Sequence, residues 1–139
     1  MYAESGVVTT EHTPPEPVKW HPYAQCFPTV LGDDLKALER DISAAFGGVQ
    51  QPIVKIGNLI LDGRARYGIA RSMLIDYPVV QYDGSDPLMD VIRWNLASRF
   101  DRMTAGQIAV TAKALCKLEP SRTDDIMQAF GLEVSEAAQ

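Results

Sequence analysis

The sequence predicts an α+β fold, a small mixed sheet with packed helices followed by a helical C-terminal subdomain. Two short runs, Gln50-Gln51-Pro52-Ile53-Val54-Lys55-Ile56 and Leu59-Ile60-Leu61, flank Gly57-Asn58, which is the pattern of a two-residue β-hairpin. A third run, Tyr77–Tyr82, is separated from them by a segment of helical spacing. From Asp86 onward the periodicity is helical only, so strands and helices alternate in the middle and helices alone follow. A length of 139 residues, 46% of them hydrophobic and 22% charged, suits one globular domain.

Taken in order, residues 1–19 lack periodicity, contain Pro14, Pro15 and Pro17, and read as a flexible arm that carries His12 as a bystander. Trp20 to Pro28 is aromatic and broken by prolines, an extended lead into a core predicted over residues 20–98. His21 has no partner carboxylate or second histidine beside it and is assigned no chemistry. Leu35, Leu38, Ile42 and Phe46 recur at helical spacing, with Gly32 or Asp33 as cap and Gly47-Gly48 as stop. A helix is predicted over Arg64–Leu74 with Tyr67, Ala70 and Leu74 inward, and Pro78 marks the start or the edge of the next strand. Asp83-Gly84-Ser85 is a turn, and Asp86 caps a helix whose first residue is Pro87 and whose inward positions are Leu88, Val91, Ile92 and Leu96. Residues 99–139 form the helical extension. Thr104 and Gln107 make a capping box ahead of Ile108, Ala112, Leu115 and Cys116. Ser121 or Thr123 begins a last helix with Ile126, Met127 and Phe130, closed by Gly131.

Composition excludes several classes. No apolar run is long enough to span a bilayer, and no secretory signal is expected, which points to a cytoplasmic protein without a membrane partner. Two cysteines without a CxxC or Cys/His cluster fit a reducing compartment and argue against structural zinc. The net charge of −5 disfavours a protein that grips nucleic acid over its whole surface. Residues 93–122 nevertheless hold six Lys/Arg against two Asp/Glu, while residues 123–139 hold none against four. Arg99, Arg102, Lys113, Lys117 and Arg122 are the candidates for a weak DNA contact, set against the plainer reading of a solvated helix face.

The most informative stretch is Ile60-Leu61-Asp62-Gly63-Arg64-Ala65-Arg66-Tyr67, an apolar strand running through a glycine turn into a basic helical turn. A helix start leaves backbone N–H groups unpaired, and these groups and the helix dipole attract anions. Arg64 and Arg66 add two permanent cations whose fork geometry suits phosphate. A phosphorylated ligand at this turn is the expectation; the alternative is an ordinary turn with two solvated arginines.

Several segments resemble the ParB/sulfiredoxin superfamily, and within it the ParB-like domain of plasmid and phage proteins. They are Gln51-Pro52-Ile53, Leu61 to Tyr67, Asp83-Gly84-Ser85-Asp86-Pro87, Asn95-Leu96 and Thr104-Ala105-Gly106-Gln107, and the resemblance extends over roughly His21 to Leu118. The resemblance implies a nucleoside triphosphate, CTP or ATP, with Mg2+ as its companion. Gly63 would then give close backbone approach, with Asp62, Arg64, Arg66 and Tyr67 around the phosphates. Gln51 and Pro52 would lie near the opposite wall, and Asn95 would help to hold nucleotide and metal. Two departures stand out. The Glu-Asn-Leu of partition proteins is here Trp94-Asn95-Leu96, which removes a hard oxygen ligand for magnesium. The reactive cysteine of sulfiredoxin is replaced by Arg64, which rules out sulfinic-acid reduction. Between Gly131 and Gln139 there is no room for a complete recognition helix, so specific operator binding is not expected.

The resemblance implies a role in plasmid or phage DNA maintenance, transfer or its regulation, through a plasmid- or phage-encoded partner protein. A nuclease or NTPase of the ParB-like type is the competing expectation, with Asp62 as candidate catalytic acid, sharing a divalent ion with Asp83 and Asp86. Against it, Asp83 and Asp86 suit turn and cap positions. A non-catalytic protein-binding module is the third, with the C-terminal helices as its surface. Trp94 is expected to be buried.

Overall fold

The computed structural model describes residues 8–11, 19–44, 49, 51–99 and 102–132. Strand β2 (Ile53–Ile56) turns through Gly57-Asn58 into antiparallel β3 (Leu59–Asp62). Gly57 has φ 58°, the left-handed conformation that this tight turn requires. Helix α3 (Arg64–Met73) then crosses over, and β4 (Tyr77–Gln81) returns parallel to β2, with Ile53 opposite Val79. Strand β1 (Val8–Glu11) pairs antiparallel with β4, so the sheet order is β1-β4-β2-β3. The class is therefore α+β with a small mixed sheet. Residues 8–11 are a correction to the expected arm: Val8-Thr9-Thr10 is β-branched, and β4 offers it a backbone edge. The prolines and His12 of the arm lie outside the described residues.

Side chains alternate across this sheet and build two cores. Ile60 and Leu61 are adjacent and both buried, yet they belong to different clusters. On one face Ile53, Ile60, Tyr67, Ile69, Ala70, Tyr77 and Val79 pack with Ile42 of α2 (Gly32–Ala44). Leu35 and Leu38 join them as expected, while Phe46 lies outside the described residues. On the other face Leu61 meets Phe27, just after α1 (Pro22–Gln25), and Leu88, Val91 and Ile92 of α4 (Pro87–Arg99). The same core continues through Ala112 and Leu115 of α5 (Ala105–Leu118) and Ile126 and Met127 of α6 (Thr123–Ala129). The helices after residue 99 thus share one core with β3 and α4.

Two of the end signals read from sequence act as expected, whereas Gly32 and Asp33 lie inside α2 instead of capping it, no side chain caps α6, and Gly47-Gly48 lies outside the described residues. Asp86 accepts from the Met89 N–H at 3.3 Å, and Thr104 with Gln107 forms a reciprocal capping box. Leu74, expected inward, takes φ 57°, closes α3 and is 81% exposed, while Tyr67, Ile69 and Ala70 are the buried residues of that helix. The helical period ends at Met73 and does not govern Leu74.

Candidate functional site

Gly63 joins β3 to α3 with φ 103° and ψ 24°, a conformation that L side chains rarely adopt. Space is also short there. A Cβ at Gly63 would lie 3.2 Å from Ile53 Cγ1 and 3.3 Å from Arg66 Nη2. The turn is therefore pressed against the start of β2, and its carbonyl accepts the first α3 hydrogen bond, from Tyr67 N at 2.8 Å.

The two arginines after it are held in different ways. Arg64 Nη1 donates to the carbonyls of Ala24 at 2.7 Å and Phe27 at 3.4 Å, and Nη2 donates to Thr29 Oγ1 at 3.3 Å. Its guanidinium also lies over the Trp20 ring, 5.4 Å from the centroid. Burial lowers its pKa, and the guanidinium, which proteins do not deprotonate, bonds as a cation to uncharged acceptors. Arg66 instead meets a carboxylate. Its Nη2 donates to Asp62 Oδ2 at 3.1 Å, and its Nη1 donates to Gln51 Oε1 and the Pro52 carbonyl, each at 3.1 Å. Gln51 and Pro52, expected near the opposite wall, are both bonded to Arg66, and of the two Gln51 lines the cavity.

These groups line one cavity of about 250 Å³. Around it stand Asp62, Gly63, Arg64 and Arg66 from the turn, Gln51 from just before β2, and Trp94, Asn95 and Ser98 from α4. Asn95 donates its side-chain N–H to the Val91 carbonyl at 2.8 Å, which fixes its amide against its own helix. Trp94, expected to be buried, is half-buried and packs edge-on to Tyr82 while lining the cavity. Tyr67, expected at the phosphates, is 1% exposed and belongs to the α2–α3 core, edge-on to Trp20 and Tyr77.

Asp34, which no sequence signal singles out, and Arg102, a candidate for DNA contact, both line the cavity. The other basic candidates have different surroundings. Arg122 donates from Nη2 to Asp86 Oδ2 and from Nε to Asp125 Oδ2, both at 2.9 Å. Lys113 and Lys117 are exposed on α5, and Arg99 is the last residue of α4.

The proposed sharing of a divalent ion by Asp62, Asp83 and Asp86 does not survive. Among the described residues no group of three His, Cys, Asp or Glu side chains is gathered to hold a metal. Asp62 is on Arg66, and the Asp86 carboxyl is drawn below the usual range, chiefly by the Arg122 hydrogen bond. Nearby, Tyr82 donates to Asp90 Oδ2 at 2.5 Å; burial first, and then this bond, push its hydroxyl up to about 12. His21 caps α1 by accepting from Tyr23 N at 3.1 Å, and burial lowers its pKa, which suits that acceptor role.

Comparisons with protein-family models, curated proteins and solved structures find no match. Among the described residues no helix is long and apolar enough to cross a membrane.

Proposed function

We propose that this protein binds a nucleoside triphosphate, CTP or ATP, in the cavity between the Gly63 turn and α4. In this reading it serves plasmid or phage DNA maintenance, transfer or its regulation, as the ParB-like resemblance of the sequence implies. One observation carries the binding: Arg64 and Arg66 from the first turn of α3 and Arg102 from a distant part of the chain line a single cavity. Three arginines there face two aspartates, Asp34 and Asp62, so the lining keeps a positive excess. Phe27, Leu38 and Trp94 supply an apolar wall beside the cations, the mixture that a base attached to phosphates needs.

Binding is supported better than metal-assisted cutting, because Asp62 is committed to Arg66 and the acids expected beside it are elsewhere. A small ligand is also supported better than a DNA strand, since the basic segment is divided between the cavity, an ion-pair seam and α5. Calorimetric titration of CTP, ATP and GTP with magnesium tests the reading. One of them should bind with a Kd below about 1 mM, near −4 kcal/mol, and Arg66→Ala should weaken it about tenfold. If all three stay above that limit, the cavity is not a nucleotide site.

A further inference from the structure

The wall that carries the cations also carries an anion of its own. Asp62 Oδ2 sits 3.1 Å from Arg66 Nη2, and the side chains are only 17% and 12% exposed. A ligand phosphate that uses the Arg66 fork must meet this carboxylate, because Arg66 Nη1 is already bonded to Gln51 Oε1 and the Pro52 carbonyl. We propose that Asp62 is an internal competitor at this cavity: its carboxylate takes on Arg66 the place of a ligand oxygen, so that only a polyanion carrying several linked phosphates displaces or outweighs it. The proposal rests on the anion-binding reading above and assigns Asp62 a selectivity role in place of a catalytic one.

The physical reason is a difference in charge balance. A single phosphate group offers Arg66 about one to two negative charges against the one that Asp62 already supplies, and it must approach a fixed carboxylate of like sign in a partly dry site to do so. A chain of phosphates reaches Arg64, whose acceptors are all neutral, and Arg102, so its gain is not confined to the contested cation. The pair has a second role: it ties the end of β3 to the first turn of α3. Its loss should therefore cost stability while it improves binding, and a merely structural residue would not produce that opposed pair of effects.

The test titrates orthophosphate, tripolyphosphate and the three nucleoside triphosphates into the full chain as wild type, Asp62→Asn, Arg66→Ala and the double variant, with thermal unfolding of each. Wild type should bind tripolyphosphate and not orthophosphate. Asp62→Asn should lower Tm without ligand, tighten tripolyphosphate about three- to tenfold, and allow orthophosphate to bind. The tightening should disappear in the Arg66→Ala background. Asp62→Glu, which keeps the charge, should show no tightening and guards against an Asn variant that fails to fold. Equal or weaker binding by Asp62→Asn, or tightening that persists without Arg66, overturns the proposal and leaves the cavity as an anion site. Failure of every variant to bind any phosphate overturns the site as well, whereas binding by Asp62→Asn alone supports an internal competitor.

Discussion

Arg66 and Arg122 both hold aspartates, yet one lines a cavity and the other closes a seam between helices. At the seam, the guanidinium of Arg122 is divided between Asp86, which caps α4, and Asp125 in the first turn of α6. Two carboxylates serve one cation, and the residual charge is negative. At the cavity, Arg66 has Asp62, Arg64 has only carbonyl and hydroxyl oxygens, and Arg102 adds a third cation. The residual charge there is positive, and open volume adjoins it. An arginine by itself therefore says little about function; what separates the two regions is the sign left over after internal pairing and the presence of space to use it.

The harshest way to break this contrast is to remove the glycine that lets the turn exist. Gly63→Ala puts a Cβ at φ 103° and within 3.3 Å of both the Ile53 backbone and the Arg66 guanidinium. We expect a loss of about 2 kcal/mol or more in chemical denaturation, together with weaker polyanion binding. A change below about 0.5 kcal/mol would mean that the turn relaxes freely and does not hold Arg66 in place. Arg64→Ala should come next. It strips the Ala24 and Phe27 carbonyls of a charged donor and removes the cation over Trp20, costing about 1–2 kcal/mol. Arg64→Lys should recover little of it, since an ammonium lacks the planar fork that spans those carbonyls and Thr29. Full recovery by lysine would show that Arg64 acts by charge alone.

The same contrast explains what the sequence could and could not reveal. The hairpin around Gly57-Asn58, the Asp86-Pro87 start and the Thr104–Gln107 box are local devices, each decided within four residues, and all were legible. So was the Gly63 turn. Illegible were contacts made across long stretches of chain: Arg64 reaching Ala24, Phe27 and Thr29, Asp34 and Arg102 arriving at the same cavity, and β1 finding β4. No periodicity encodes such meetings, because packing of the sheet's two faces brings them about. Arg102 and Arg122 belong to one basic segment of the chain, yet Arg102 lines the cavity while Arg122 pairs with Asp86 and Asp125.

The gentlest test addresses the seam. Arg122 depresses the Asp86 carboxyl, with a smaller contribution from the Met89 N–H, while partial burial works the other way. A carboxyl whose folded value lies below its unfolded one stabilises the protein above the ordinary carboxylate range, and loses that contribution as pH falls through the folded value. Tm should therefore drop on acidification below about pH 4, more steeply in wild type than in Asp86→Asn, whose side chain cannot titrate. At neutral pH the Asn variant should start from a lower Tm, with the two curves converging in acid. Polyanion affinity at neutral pH should be unchanged, because Asp86 and Arg122 do not line the cavity. Parallel acid curves would show that the Arg122 pairing does not distinguish folded from unfolded chain. A changed affinity would show that the seam and the cavity are coupled through α4, the helix whose start Asp86 caps and whose later turns carry Trp94 and Asn95.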